Sequence, residues 1–152
     1  MSTDVRVETL IALPRADVAA YMFDPANDAE WTTGVVASRP LQPGPLVAGS
    51  VVERDVRFAG RRFSYRYEVV AAEAAAFVEM QVERPFPMVV RYELFDRPEG
   101  TAAAIQARGE AGGFFRLTGP LLNRMVRRNI TKDLAQLRDR LESGRGPAAD
   151  RL

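Results

Sequence analysis

Residues 118–143 set the tightest limit on what this chain can fold into. Leu122, Val126, Ile130, Leu134, Leu137 and Leu141 recur at spacings of three and four, with Leu121 and Met125 widening the stripe. That is the period of a helix with one buried face. Thr118-Gly119-Pro120 offers a capping hydroxyl and then a proline in the first turn, where a missing N–H costs nothing. Arg124, Arg127, Arg128, Lys132, Asp133, Arg138, Asp139 and Arg140 are assigned to the solvated remainder. Gly144, with Gly146-Pro147 after it, stops the helix. At 1.5 Å per residue the helix is about 36 Å long, so its apolar stripe needs a broad platform.

The preceding residues supply that platform as strands. Val5, Val7, Thr9, Ile11 and Leu13 alternate with Arg6 and Glu8, and Pro14 opens a short helix bearing Val18, Tyr21 and Met22. Asp24-Pro25 breaks it, and residues 26–33 form a turn or second short helix carrying Trp31. Strands are then expected over 35–41, 51–58, 62–70, 76–84, 88–95 and 101–110, separated by proline- and glycine-bearing turns. Connections this short make the run antiparallel. The expected fold is α+β: a curved seven-stranded antiparallel sheet wrapped around a long C-terminal helix, with two short helices after the first strand. One domain spans 1–143, and 144–152 is expected to be a flexible tail.

Composition removes several functional classes. The 152 residues carry a formal net charge of +1, so no global field draws the chain towards nucleic acid. Without cysteine there is no disulfide or thiolate chemistry, and without histidine the usual zinc ligand and general base are missing. Asp24, Asp28 and Glu30 are read as capping and turn residues, and neither metal nor cofactor is expected. No apolar run reaches membrane-spanning length, and residues 1–4 lack a leader pattern, which makes the cytoplasm the expected location.

The chain resembles the START-like (SRPBCC) superfamily, the helix-grip fold of birch-pollen allergens and bacterial polyketide cyclase/dehydrase proteins. The residues that carry the resemblance are Ile11-Ala12-Leu13-Pro14, Val18, Tyr21, Asp24-Pro25 and Glu30-Trp31. Further along come Gly49, Gly60-Arg61-Arg62, Tyr67-Glu68-Val69 and Gly100-Thr101. The resemblance implies a cavity between sheet and helix, and places Trp31 near its mouth. The strand at 101–110 fits such a cavity, because the set Thr101, Ala103, Ile105, Ala107 and Gly109 is small, as are the alternate residues Ala102 and Ala104. The same residues also fit a helix seated directly on the sheet with no void.

Candidate lining residues follow from strand parity and the helix stripe: Phe63, Tyr65, Tyr67, Met80 and Tyr92 from the sheet, Leu122, Met125 and Val126 from the helix. Buried tyrosine hydroxyls need hydrogen-bond partners. Arg54 shares a parity with Val52, Val56 and Phe58, which points it inward. There a ligand carboxylate or enolate would pair it, or an internal acid such as Glu8 or Glu53; a bulge would instead turn it to solvent. Trp31 is either a ligand contact or a clamp closing the sandwich.

The leading expectation is binding of a small hydrophobic or aromatic metabolite in a cavity of at least roughly 300 Å³, by a monomer or homodimer. A polyketide cyclase or dehydratase working through Arg54 and the tyrosines is the alternative, and a protein-interaction or regulatory module is a third.

Overall fold

A computed structural model describes residues 3–144. Strand β1 (Thr3–Ile11) leads into α1 (Arg15–Met22), a single 3-10 turn (Pro25–Asn27) and the one-turn α2 (Asp28–Trp31). Strands β2 (Val35–Pro40), β3 (Val51–Phe58), β4 (Arg61–Glu73), β5 (Phe77–Val82), β6 (Met88–Arg97) and β7 (Gly100–Gly109) follow. The short α3 (Gly112–Phe115) and the long α4 (Gly119–Glu142) complete the described chain. The seven strands form one sheet in the order β1-β7-β6-β5-β4-β3-β2, every neighbouring pair antiparallel. This is the helix-grip arrangement, as expected from the sequence. Of the tail expected at 144–152, residues 145–152 lie outside the described residues.

Local chemistry explains the curl of the sheet. Ala59 and Gly60 both take positive φ, the geometry of a two-residue hairpin whose twist matches its strands. Register shifts at Val35/Ala37 and Val69/Ala71 add bulges, which bend a strand and strengthen its twist. Gly34, at φ +97, begins the return into β2; a Cβ there would lie 2.5 Å from the Arg57 carbonyl oxygen, so only glycine fits.

Helix α4 covers the concave face. Leu122, Ile130, Leu134, Leu137 and Leu141 are buried on it as the periodicity predicts, each contributing about 1.5–3 kcal/mol relative to exposure. Three expectations for this helix need correction. Leu121 is 42% exposed, because it sits beside the stripe instead of in it. Thr118 occupies the N-cap position but makes no side-chain capping bond. Asp133, assigned to solvent, is buried.

Candidate functional site

The site begins with one cross-strand row. Ser38, Arg54 and Tyr65 are paired neighbours on β2, β3 and β4, so their side chains share the concave face. Arg54 is 7% exposed, and Asp28, at the start of α2 above this row, is 2% exposed. Arg54 donates to Asp28 Oδ2 from Nη2 at 2.8 Å and from Nε at 3.2 Å, and Ser38 Oγ donates to the same oxygen at 2.9 Å. Burial works against the Arg54 charge, but the Asp28 carboxylate overrides it and holds the guanidinium well above its ordinary range. The internal partner is thus Asp28, neither Glu8 nor Glu53, and Asp28 is an ion-pair residue where a capping role was expected.

Two tyrosines complete the polar end. Arg54 Nη1 donates to Tyr65 Oη at 3.2 Å and Nη2 to Tyr92 Oη at 3.4 Å. Both phenolic oxygens therefore act as acceptors, which leaves their hydroxyl hydrogens to donate elsewhere. Burial pushes the Tyr92 hydroxyl up to about 12, so it stays a proton donor at neutral pH. Asp133 faces the same space from α4. Its Oδ1 accepts the Thr33 backbone N–H at 2.6 Å, and burial lifts its carboxyl to about 6.

Arg54, Tyr65, Tyr92 and Asp133 border a hollow of about 170 Å³ between sheet and helix. Val82, Val90, Ile105 and Ala107 wall it from the sheet, and Leu122, Val126 and Ile130 from α4. Its outer end is aromatic. Phe63 meets Phe86 at 6.0 Å, Phe114 at 5.1 Å and Phe115 at 5.7 Å between ring centroids, and Phe58 meets Phe115 at 5.1 Å. Arg61, at the start of β4, ties the hairpin to α3, its guanidinium 4.0 Å from the Phe114 ring centre. The hollow falls short of the roughly 300 Å³ expected: Thr101, Ala103 and Ala107 of β7 are buried in the core, as the reading of a helix seated close to the sheet requires, and the phenylalanine rings fill the other end. Larger grooves of about 630 and 760 Å³ exist on the surface, but neither contains Arg54, Asp28 or Asp133.

Residues 2–142 match the family described as polyketide cyclase / dehydrase and lipid transport. The chain belongs to that family. Three solved structures share its fold. KanY is 19% identical, with 93% of this chain and 99% of that one covered and a TM-score of 0.72. Protein NE0264 from Nitrosomonas europaea is 16% identical, with 94% and 96% covered and a TM-score of 0.72. The di-domain ARO/CYC StfQ from the steffimycin biosynthetic pathway is 12% identical, with 91% of this chain and 50% of StfQ covered and a TM-score of 0.74. At these identities the likeness shows the fold alone. No curated protein matches the sequence.

Within this polyketide cyclase/dehydrase-family chain, the structure brings together six of the ten sequence candidates. Arg54, Phe63, Tyr65, Tyr92, Leu122 and Val126 border the hollow. Trp31 does not; it is fully buried and packs at 5.7 Å against Tyr92. Tyr67 lies under the Arg54 guanidinium at 4.9 Å from ring centre to Cζ, and Met80 is core beside Val69. Met125 sits on the flank of the α4 stripe, away from the hollow.

Sequence reasoning missed Asp28, Asp133 and the Phe86, Phe114 and Phe115 rings. A signal existed for Asp133: it lies seven residues after Val126 and three after Ile130, on the buried stripe. Asp28 had no local signal, since only the fold brings it to Arg54.

Proposed function

We propose that this chain binds a small hydrophobic or aromatic metabolite, of about single-ring size, in the hollow between the sheet and α4. The observation that carries this reading is an apolar hollow with one polar end, where Tyr65 and Tyr92 are oriented by a buried, internally neutralised Arg54. Apolar walls with a few convergent polar groups are the usual make-up of a small-molecule site. The size fits as well, because an apolar cavity of about 150 Å³ holds benzene. A larger guest requires the Phe63, Phe86 and Phe115 rings to part. The family description covers both cyclase/dehydrase chemistry and lipid transport, which supports a hydrophobic guest without choosing one. Native mass spectrometry of the purified full chain, alone and with added acetophenone, tests the reading. A one-to-one adduct supports it; bare protein under every condition contradicts it.

One observation favours a second reading, catalysis of the cyclase or dehydratase type. Asp133 carries a carboxyl lifted to about 6, facing the same hollow as two phenolic donors, so a proton acceptor and proton donors border one space. Tyr65 and Tyr92 would stabilise a developing enolate oxygen while Asp133 takes up a proton. Turnover of a poly-keto substrate that survives both Asp133→Asn and the double Tyr65→Phe, Tyr92→Phe change would rule it out.

A further inference from the structure

We infer that Asp133 sets the charge of the guest: the site takes an uncharged ring compound that offers a hydroxyl to Asp133 and a carbonyl oxygen to Tyr65 and Tyr92, and rejects the matching carboxylate. This inference rests on the ligand-binding reading above and adds the chemical class of the ligand.

The distribution of buried charge carries it. Among the described residues three charged side chains are buried, Asp28, Arg54 and Asp133, one positive and two negative. Arg54 and Asp28 neutralise each other through two hydrogen bonds to one oxygen. Asp133 is left over. It lines the hollow, is 7% exposed, and has no cation within ion-pair distance among the described residues. Its protein hydrogen bonding comes from Thr33 alone, led by the backbone N–H, and a carboxylate has sites for about four.

The groups around it do not supply the missing charge. From the sheet it is faced by Arg54, Tyr65 and Tyr92, and the Arg54 charge is already held by Asp28. Lys132 on its own helix and Arg57 at the rim are exposed, where solvent and salt screen them. A guest carboxylate would therefore bring a third negative group into a poorly solvated space that holds one cation. A guest hydroxyl instead donates to Asp133 and leaves the charge balance unchanged. The two tyrosines match a carbonyl for a separate reason: their oxygens accept from Arg54, so their hydrogens point to another acceptor. Above pH 7 the Asp133 carboxyl is largely ionised despite its burial, so the exclusion operates in ordinary buffers.

Isothermal titration of the full chain at pH 8 with 4′-hydroxyacetophenone, 4-hydroxybenzoate and tyramine tests the inference. The ketone is expected to bind about tenfold more tightly than the carboxylate. Asp133→Asn keeps the shape and an acceptor for the Thr33 N–H, and should cut that ratio to below about threefold, chiefly by strengthening carboxylate binding. Equal binding of ketone and carboxylate by the unaltered chain overturns the inference and leaves the ligand-binding reading standing. So does an unchanged ratio in Asp133→Asn. Tighter binding of tyramine than of the ketone would assign Asp133 a cationic guest and also overturn it. Failure of all three probes to bind brings down the inference and the ligand-binding reading together.

Discussion

Arg54 and Asp28, 26 positions apart in the chain, meet through a single carboxylate oxygen: Nη2 and Nε of Arg54 both donate to Asp28 Oδ2. The pair links β3 to α2 and fixes the guanidinium from which Tyr65 and Tyr92 take their orientation. It also explains how an arginine survives on an apolar face, since a buried guanidinium without a partner would be strongly disfavoured.

Breaking this pair from one side should be costly. Asp28→Ala leaves Arg54 buried and uncompensated, and is expected to destabilise the fold by about 3–5 kcal/mol in urea denaturation. The double change Asp28→Ala, Arg54→Met should recover a substantial part of that loss. A double variant no more stable than Asp28→Ala would show that the ion pair is not what the buried arginine depends on.

Asp133 gives a pH dependence of defined sign. Its carboxyl is lifted from an ordinary 3.8 to about 6, so between those values the folded chain binds more protons than the unfolded one. Stability from this group therefore falls as pH rises through that window; the penalty is absent below about 4 and complete above about 6. The elevation, which already includes the hydrogen bonding from Thr33, corresponds to at most about 3 kcal/mol, reduced by the solvent that reaches the carboxyl at the hollow. Asp133→Asn should accordingly be more stable than the unaltered chain by about 1–2 kcal/mol at pH 7.5, and no more stable at pH 4. Thermal melts at the two pH values check this, and a gain that persists unchanged at pH 4 would contradict it.

The α4 stripe can be tested by two leucines. Leu137 is fully buried, so Leu137→Ala is expected to cost about 2–5 kcal/mol. Leu121 is largely solvent-facing, and Leu121→Ala should stay within about 0.5 kcal/mol. Similar losses at both positions would mean the helix is rotated from the position described.

Gly34 borders the hollow beside Thr33, with φ +97 and the Arg57 carbonyl in the way of any side chain. Gly34→Ala should cost more than about 1 kcal/mol and perturb the neighbouring hollow. A neutral substitution would show that this turn has another available path.

The fold was legible because its signals are periodic. Leu122 to Leu141 repeat at helical spacing, Phe63 to Val69 alternate, and Ala59-Gly60 marks a tight turn, all properties of neighbours in sequence. The site was legible only where it uses the same periodicity. Parity turned Arg54, Tyr65 and Tyr92 inward, but the partner of Arg54 lies on another element and had no local mark. Asp133 shows the opposite failure: its position on the buried stripe was readable, and its charge argued for solvent. The Phe114-Phe115 pair lies between the last strand and the long helix with no periodic pattern to place it, and its rings pack on Phe63 and Phe86, which are distant in sequence.

The most direct test of the central claim is methyl chemical-shift mapping of the full chain during titration with acetophenone. The expected result is a saturable set of shifts at Val82, Val90, Ile105, Leu122 and Val126, which surround the hollow. Shifts confined to Leu46 and Val47 in the outer groove, or no saturable shifts at all, would contradict a guest held between the sheet and α4.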